Sequence, residues 1–180
     1  MPNVRNSLAA DSRPDLGSMD LAELEAGLEA RGHPRFHGRQ IFSWIYAKGV
    51  ADFEKMTDLS RPLRADLAEH FRISSPAVIA RETSSDGTVK FLLGLEDNRR
   101  IESVFIPDTP SQTFCISTQV GCAMKCGFCL TGKMGLVRNL SAGEIAAQVR
   151  VLAGELGLRD SKFNIVLMGM ASRCTTTTTR

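Results

Sequence analysis

The chain has 180 residues, of which 43% are hydrophobic, and its formal net charge is +2. This length suits about one domain with a small appendage, and the sequence lacks the run of about 18 apolar residues that a membrane span requires. A near-neutral charge neither requires nor excludes a nucleic-acid partner, because the local distribution of charge decides such binding.

Residues 1–18 are polar and lack the apolar core of a secretory signal peptide. We therefore predict a disordered leader over 1–18 and a cytoplasmic protein with no membrane partner. The five cysteines agree with that location, since an odd number without a signal peptide argues against a disulfide scaffold.

Residues 19–73 predict a small domain of three helices. Asp20 can cap the first helix, with Glu23 as its reciprocal partner three residues later. Apolar residues at helical spacing predict a second helix over about 38–48. A third helix should begin at Ser60, with Pro62 tolerated in its first turn.

The pattern then changes from helical to strand-like. Short segments over 77–83, 88–95 and 99–106 predict strands within a connecting segment, 74–110, because turn residues separate them. A strand over 112–118, a helix begun by Ser141 with Glu144 as a capping box, and a strand over 163–168 follow. Strand, helix and strand in this order predict two parallel strands with a right-handed crossover.

The most informative motif is a C-x3-C-x2-C run formed by Cys122, Cys126 and Cys129. Three thiolates can occupy three irons of a 4Fe–4S cluster and leave the fourth iron open for another ligand. A structural zinc site would need a fourth ligand; the histidines lie far upstream, and Cys115 lies on a predicted strand. The spacing favours the cluster, but zinc and unliganded cysteines both remain open on spacing alone.

The residues around this motif extend the pattern into a family resemblance. They resemble the bacterial dual-specificity RNA adenine-C2 methyltransferases, which belong to the radical S-adenosylmethionine superfamily. The segments 34–42 and 56–59 resemble that family's N-terminal accessory domain. The segments that resemble its catalytic part are 101–107, 115–122, 131–135 and 138–140.

The resemblance implies an α/β fold, in which the helical RNA-contacting domain over 19–73 precedes a partial (βα)6 barrel that starts at residue 111. It implies a 4Fe–4S cluster on Cys122, Cys126 and Cys129, and S-adenosylmethionine as both methyl donor and radical source. Carbon C2 of adenine is electron-poor and its C–H bond is not acidic, so the cofactor must supply radical chemistry there.

The resemblance also implies roles for three further residues. Glu102 matches the family's acid–base residue, and Cys115 matches a cysteine that pairs transiently, as a disulfide, with the methyl-carrying cysteine. Phe128 would lie near the adenine of the bound cofactor. Without the family context, Glu102 would be interpreted as a solvent-facing strand residue, Cys115 as a small buried hydrophobe, and Phe128 as ordinary core.

The implied partners are ribosomal RNA and transfer RNA, together with a reductant such as flavodoxin, and the implied oligomeric state is a monomer. Arg35 and Arg39 are the candidate phosphate contacts. Two alternative functions stay open: methylation of adenine at C8, and a non-catalytic RNA-binding remnant.

The end of the sequence departs from the family. Ala171 and Ser172 stand where the family has a glycine–glutamate pair that contacts S-adenosylmethionine, and five threonines, 175–179, follow Cys174. A homopolymeric tail has no packing pattern. We therefore predict that 111–180 is a truncated barrel with an aberrant tail, and that this chain alone is inactive.

Overall fold

The computed structural model describes residues 11–107 and 111–170. These residues form five α-helices, α1 (Leu21–Glu29), α2 (Phe36–Tyr46), α3 (Arg61–His70), α4 (Leu130–Met134) and α5 (Ala142–Glu155). They also form seven strands, β1 (Ala77–Thr83), β2 (Val89–Gly94), β3 (Arg100–Ile106), β4 (Thr113–Cys115), β5 (Gln119–Gly121), β6 (Leu136–Asn139) and β7 (Asn164–Val166). The predicted threonine-rich tail lies outside the described residues.

The predicted helical domain is present, and its helices begin where their caps place them. Asp20 and Glu23 form the predicted capping box, with Glu23 N–H donating to Asp20 Oδ1 at 2.8 Å. Ser60 caps α3. Helix α2 begins at Phe36, two residues before the predicted start, and without a side-chain cap. The core of this domain consists of buried apolar residues, among them Leu24, Leu28, Ile41, Ile45, Met56, Leu63 and Leu67.

The prediction of a disordered leader over 1–18 is wrong for its last residues. Leu16 is 1% exposed and belongs to the core of the helical domain. Asp15 accepts a hydrogen bond from the backbone N–H of Ser74 at 3.0 Å and forms a parallel bridge with Arg72. This segment is ordered because it buries an apolar side chain and satisfies backbone groups of the chain beyond α3. Residues 1–10 lie outside the described residues.

The main sheet has the strand order β1-β2-β3-β4-β7. Strands β1 to β4 pair antiparallel, whereas β4 and β7 are parallel, as the predicted strand–helix–strand unit requires. Helix α5 connects them and begins with the predicted capping box of Ser141 and Glu144. One sheet face and α5 share a core that includes Phe91, Ile101, Phe114 and Leu152.

A second, two-stranded sheet of β5 and β6 was not predicted. It separates the predicted strand 112–118, which ends as β4 at Cys115, from the residues that lead into the cysteine motif. Gly121, with φ +77°, allows this arrangement, because a Cβ there would overlap the carbonyl oxygen of Gly135. No described helix is long and apolar enough to cross a membrane.

Candidate functional site: the cysteine loop and the adjoining sheet face

The cysteine loop, residues 122–129, lies between β5 and α4. Cys122 follows β5 directly, and Cys129 precedes α4. Strand β6 returns beside β5, and the backbone N–H of Cys122 donates to the carbonyl of Gly135 at 3.0 Å. Both ends of the loop are therefore attached to the same small sheet.

The three thiols of the loop differ in exposure. Cys122 is 7% exposed, whereas Cys126 and Cys129 are half-buried. The N–H of Met124 donates to Cys122 Sγ at 3.5 Å, and the N–H of Cys129 donates to the carbonyl of Cys126 at 3.1 Å. Among the described residues no three His, Cys, Asp or Glu side chains are gathered as metal ligands, and the four described cysteines form no disulfide.

The donor set of the loop nevertheless fits an iron–sulfur cluster. Three thiols lie on one short loop, and the N–H of Met124 already points at one sulfur, the type of hydrogen bond that tunes such clusters. Helix α4 packs closely on the loop, because a Cβ on Gly132 would lie 2.9 Å from the backbone nitrogen of Cys126. This close approach was not predicted, although Gly132 lies within the resembling segment 131–135.

The rim of the cysteine loop is apolar and exposed. Phe128 is 95% exposed, so its interpretation as ordinary core is wrong for the described part of the chain. The other uncovered apolar side chains of this rim are Met124, Leu130 and Met134. A contiguous apolar surface of this kind is typical of a binding site or an interface. The position of Phe128 near a bound adenine stays a prediction.

Glu102 and Cys115 lie on one face of the main sheet. Cys115 pairs with Val104 across β3 and β4, and Glu102 lies two residues before Val104 on the same face. Ile101 and Ser103 point to the opposite face, which α5 covers. The register therefore brings the two predicted residues together on the face that α5 leaves uncovered.

The two side chains on this face differ in charge. Glu102 is 42% exposed, and its Oε1 lies 3.6 Å from Nζ of Lys90. Burial raises the pKa of the Cys115 thiol, and a hydrogen bond with the backbone of Met168 only partly opposes this. At neutral pH the face therefore carries a neutral thiol close to an ion-paired carboxylate.

A buried polar junction, which was not predicted, fixes the backbone beneath this face. Gln148 of α5 accepts from Ser103 Oγ at 2.8 Å and from Ser117 N–H at 2.9 Å, and donates to the carbonyl of Ser117 at 2.9 Å. The hydroxyl of Ser117 donates to the carbonyl of Glu102 at 2.6 Å and accepts from Met170 N–H at 2.9 Å. Ser103, Ser117 and Gln148 are all fully buried.

The predicted RNA contacts lie at the start of α2. Arg35 donates to Glu25 Oε2 at 3.1 Å, and Nε of Arg39 lies 3.7 Å from Glu25 Oε1. Both arginines are mostly exposed. They can reach an RNA backbone, but they share one carboxylate, which lowers their combined positive charge.

Comparison with known proteins agrees with this architecture. Residues 14–73 match the family described as the ribosomal RNA large subunit methyltransferase N-terminal domain. The dual-specificity RNA methyltransferase RlmN of Geobacter sulfurreducens is 46% identical over 89% of this chain, and that of Syntrophotalea carbinolica is 49% identical over 91%. In both cases the chain spans 43% of the relative's length.

A solved structure extends the agreement to the fold. The crystal structure of a radical SAM methyltransferase from Sphaerobacter thermophilus matches 87% of this chain and 47% of its own with a TM-score of 0.80 and 43% identity. The fold and the cysteine loop together define a protein of the radical SAM methyltransferase class. Over its aligned residues the chain belongs to the RlmN family of dual-specificity RNA methyltransferases.

Proposed function

We propose that this chain supplies the RNA-contacting domain and the cysteine loop of a radical SAM enzyme that methylates C2 of adenine. Its substrates would be the adenosine of the peptidyl-transferase centre in 23S ribosomal RNA and the adenosine 3′ of the anticodon in transfer RNA. The observation that carries the proposal is a loop with Cys122, Cys126 and Cys129 in a fold that matches a radical SAM methyltransferase.

The three loop cysteines would hold three irons of a 4Fe–4S cluster and leave one iron for S-adenosylmethionine. When bound, this pair supplies the carbon-centred radical that a carbon as unreactive as adenine C2 requires. Phe128, exposed on the rim of the loop, would cover the adenine of the bound cofactor.

The uncovered sheet face would supply the remaining chemistry. Glu102 would accept a proton while the RNA adduct is resolved, a role that suits an exposed carboxylate beside an open site. Cys115 would pair transiently with the methyl-carrying cysteine that the family has in its C-terminal part. Its raised pKa would keep Cys115 protonated until that step.

The helical domain would bind RNA through exposed basic residues at the start of α2, Arg35 and Arg39. An external reductant such as flavodoxin would reduce the cluster, and the enzyme would act as a cytoplasmic monomer. The target adenine would have to leave its stack to reach the sheet face, as it does for other enzymes that modify bases.

Anaerobic reconstitution with iron and sulfide tests the cluster directly. The 180-residue chain should bind about four irons and develop the visible absorption and electron paramagnetic resonance (EPR) signals of a 4Fe–4S cluster. Replacing Cys122, Cys126 and Cys129 by alanine should abolish them. Cys115→Ala is the matched control, because it removes a thiol outside the loop.

Iron, sulfide and zinc are measured together, so that each result has one meaning. Binding of zinc in place of iron, or equal iron in the triple variant and the unchanged chain, would refute the cluster assignment. A spectral change on addition of S-adenosylmethionine to the reduced cluster would support an open iron site.

A further inference from the structure

Strand β6 closes the cysteine loop, and Arg138 on this strand faces two acidic partners. Its Nη1 and Nη2 donate to the two carboxylate oxygens of Glu144 at 2.8 and 2.7 Å. Its Nε donates to Asp97 Oδ2 at 2.8 Å. The guanidinium therefore joins β6 to the first turn of α5 and to the turn between β2 and β3.

The small sheet that carries the loop has little else to hold it. Strands β5 and β6 are short, pair at three positions with an irregularity after Val120, and make no ladder with the main sheet. A two-stranded sheet of this size is marginally stable by itself. On β6, Leu136 and Val137 are both more than 40% exposed, so apolar packing secures this strand weakly.

The charge pairs of Arg138 are of the stronger kind. The contact to Glu144 is bidentate, and both partners are largely shielded from solvent. Burial of Glu144 favours its neutral form, but hydrogen bonds from Arg138 and from the N–H of Ser141 outweigh this and lower its pKa. Glu144 also closes the capping box of α5, so the same carboxylate anchors the helix and the strand.

We propose that Arg138 is a positioning residue, which holds β6 against α5 so that the cysteine loop keeps the shape its three thiols need to share one cluster. The inference rests on the proposed function. Arg138 pairs with Val120, two residues before Cys122, and the N–H of Cys122 bonds to the residue that precedes β6. A shift of β6 would therefore move Cys122 directly.

The chain offers a matched control for this residue. Arg72 bonds Glu96, the residue next to Asp97 in the same turn, and its Nε donates to the carbonyl of Arg13 at 3.0 Å. It lies on the helical domain and does not contact β6. Arg72→Gln removes a comparable charge pair, whereas Arg138→Gln also releases the strand that closes the loop.

Two measurements are made on the 180-residue chain and its variants Arg138→Gln, Arg138→Lys and Arg72→Gln. The first is the rate at which the reconstituted cluster loses iron to a chelator, together with its EPR spectrum. Arg138→Gln should lose iron on the order of tenfold faster, the usual effect of removing a group that orients metal ligands. Arg138→Lys should recover part of the difference, because it restores charge without the bidentate fork.

The second measurement needs no iron. Cys122 is buried, so its rate of alkylation in the apo chain reports opening of the loop. Arg138→Gln should speed this reaction, and Arg72→Gln should not, after both are compared at equal fractions of folded protein. Glu144→Gln should act like a weaker form of Arg138→Gln, because glutamine keeps the capping box and loses the charge.

The outcomes separate the two proposals. An unchanged chain that binds no iron would refute the cluster assignment, while the alkylation rates would still decide the role of Arg138. Equal iron loss and equal alkylation of Cys122 in Arg138→Gln and Arg72→Gln would overturn the inference and leave the proposed function intact.

Discussion

Single residues of the site obey two different kinds of constraint. The spacing of Cys122, Cys126 and Cys129 is a property of the sequence, and it predicts their chemistry without any structure. That Glu102 and Cys115 share a face depends on the register of β3 against β4, which links residues that are distant in sequence. Only the resemblance could indicate this pairing before the structure was known.

Gly121 is the residue on which the geometry of the loop depends most. Its φ of +77° disfavours any side chain, and a Cβ would also overlap the carbonyl of Gly135. Gly121→Ala should lower the free energy of unfolding by about 1 kcal/mol for the backbone conformation and by roughly 1–3 kcal/mol more for the overlap. Urea unfolding followed by circular dichroism measures the total.

Gly32→Ala is the control that separates the two effects. Gly32 has a similar φ of +78°, but no atom lies within 4 Å of an added Cβ. This variant should show only the loss of about 1 kcal/mol from the backbone conformation. Equal losses at Gly32 and Gly121 would contradict the close approach of Gly121 to Gly135.

Among the elements, those with local signals were predicted and those without were missed. Caps at Asp20, Ser60 and Ser141 fix helix starts through contacts within a few residues, so the sequence contains them. The pairing of β5 with β6 joins segments on either side of the cysteine loop, and neither segment has a clear alternation of apolar residues. Gln148 likewise reads as an ordinary polar helix residue until its partners on β3 and after β4 are known.

Helix α3 is attached to the end of α1 by a charge pair whose pH dependence can be predicted. Arg31 Nε donates to Asp66 Oδ2 at 2.8 Å, and His33 Nε2 lies 3.0 Å from the same oxygen. The hydrogen bonds from Arg31 lower the pKa of Asp66 well below its ordinary value despite partial burial, and His33 adds to this. A depressed pKa stabilises the fold at pH values above the unfolded-state pKa of about 4.

Asp66→Asn should therefore lower the free energy of unfolding at pH 7 by on the order of 1 kcal/mol, because the pair is partly exposed. The difference between the variant and the unchanged chain should shrink as the pH falls below about 4, where Asp66 begins to lose its advantage. Urea titrations at pH 7, 4 and 2.5 measure this difference. A difference that is constant over this range would show that the charge of Asp66 does not stabilise the fold.

In the whole molecule, the helical domain and the sheet pack through specific contacts. Arg150 of α5 donates to the carbonyl of Ser74 at 2.8 Å and lies over the ring of Tyr46. Tyr46 in turn donates to the carbonyl of Gly17 at 3.0 Å. Since a Cβ on Gly143 would overlap Ser18, helix α5 lies directly against the turn at 16–18. The RNA-contacting domain and the cysteine loop therefore have a defined relative placement.

The proposed activity belongs to a longer protein, so it is best tested in one. A chimaera that continues residues 1–170 with the corresponding remainder of the Geobacter relative should methylate adenine at C2, as mass spectrometry of digested RNA would show. In this chimaera Glu102→Gln should lower the rate of product formation by about 10²-fold or more. Methylation at C8 would contradict the proposed position.

Glu82→Gln provides the control for Glu102→Gln. Both carboxylates lie near Nζ of Lys90, at 3.3 Å for Glu82 and 3.6 Å for Glu102. If the only role of Glu102 were to pair with Lys90, the two variants would lose activity equally. A loss confined to Glu102→Gln would indicate a proton acceptor.

The turn between β2 and β3 has a mechanical consequence. Glu96 is bound by Arg72 of the helical domain, and Asp97 by Arg138 of the strand that closes the cysteine loop. Neither region can swing about this joint without separating an arginine from its carboxylate. The span from the RNA-contacting helices to the three thiols is therefore set by the protein, like a ruler, and the RNA must bend or unstack to cover it.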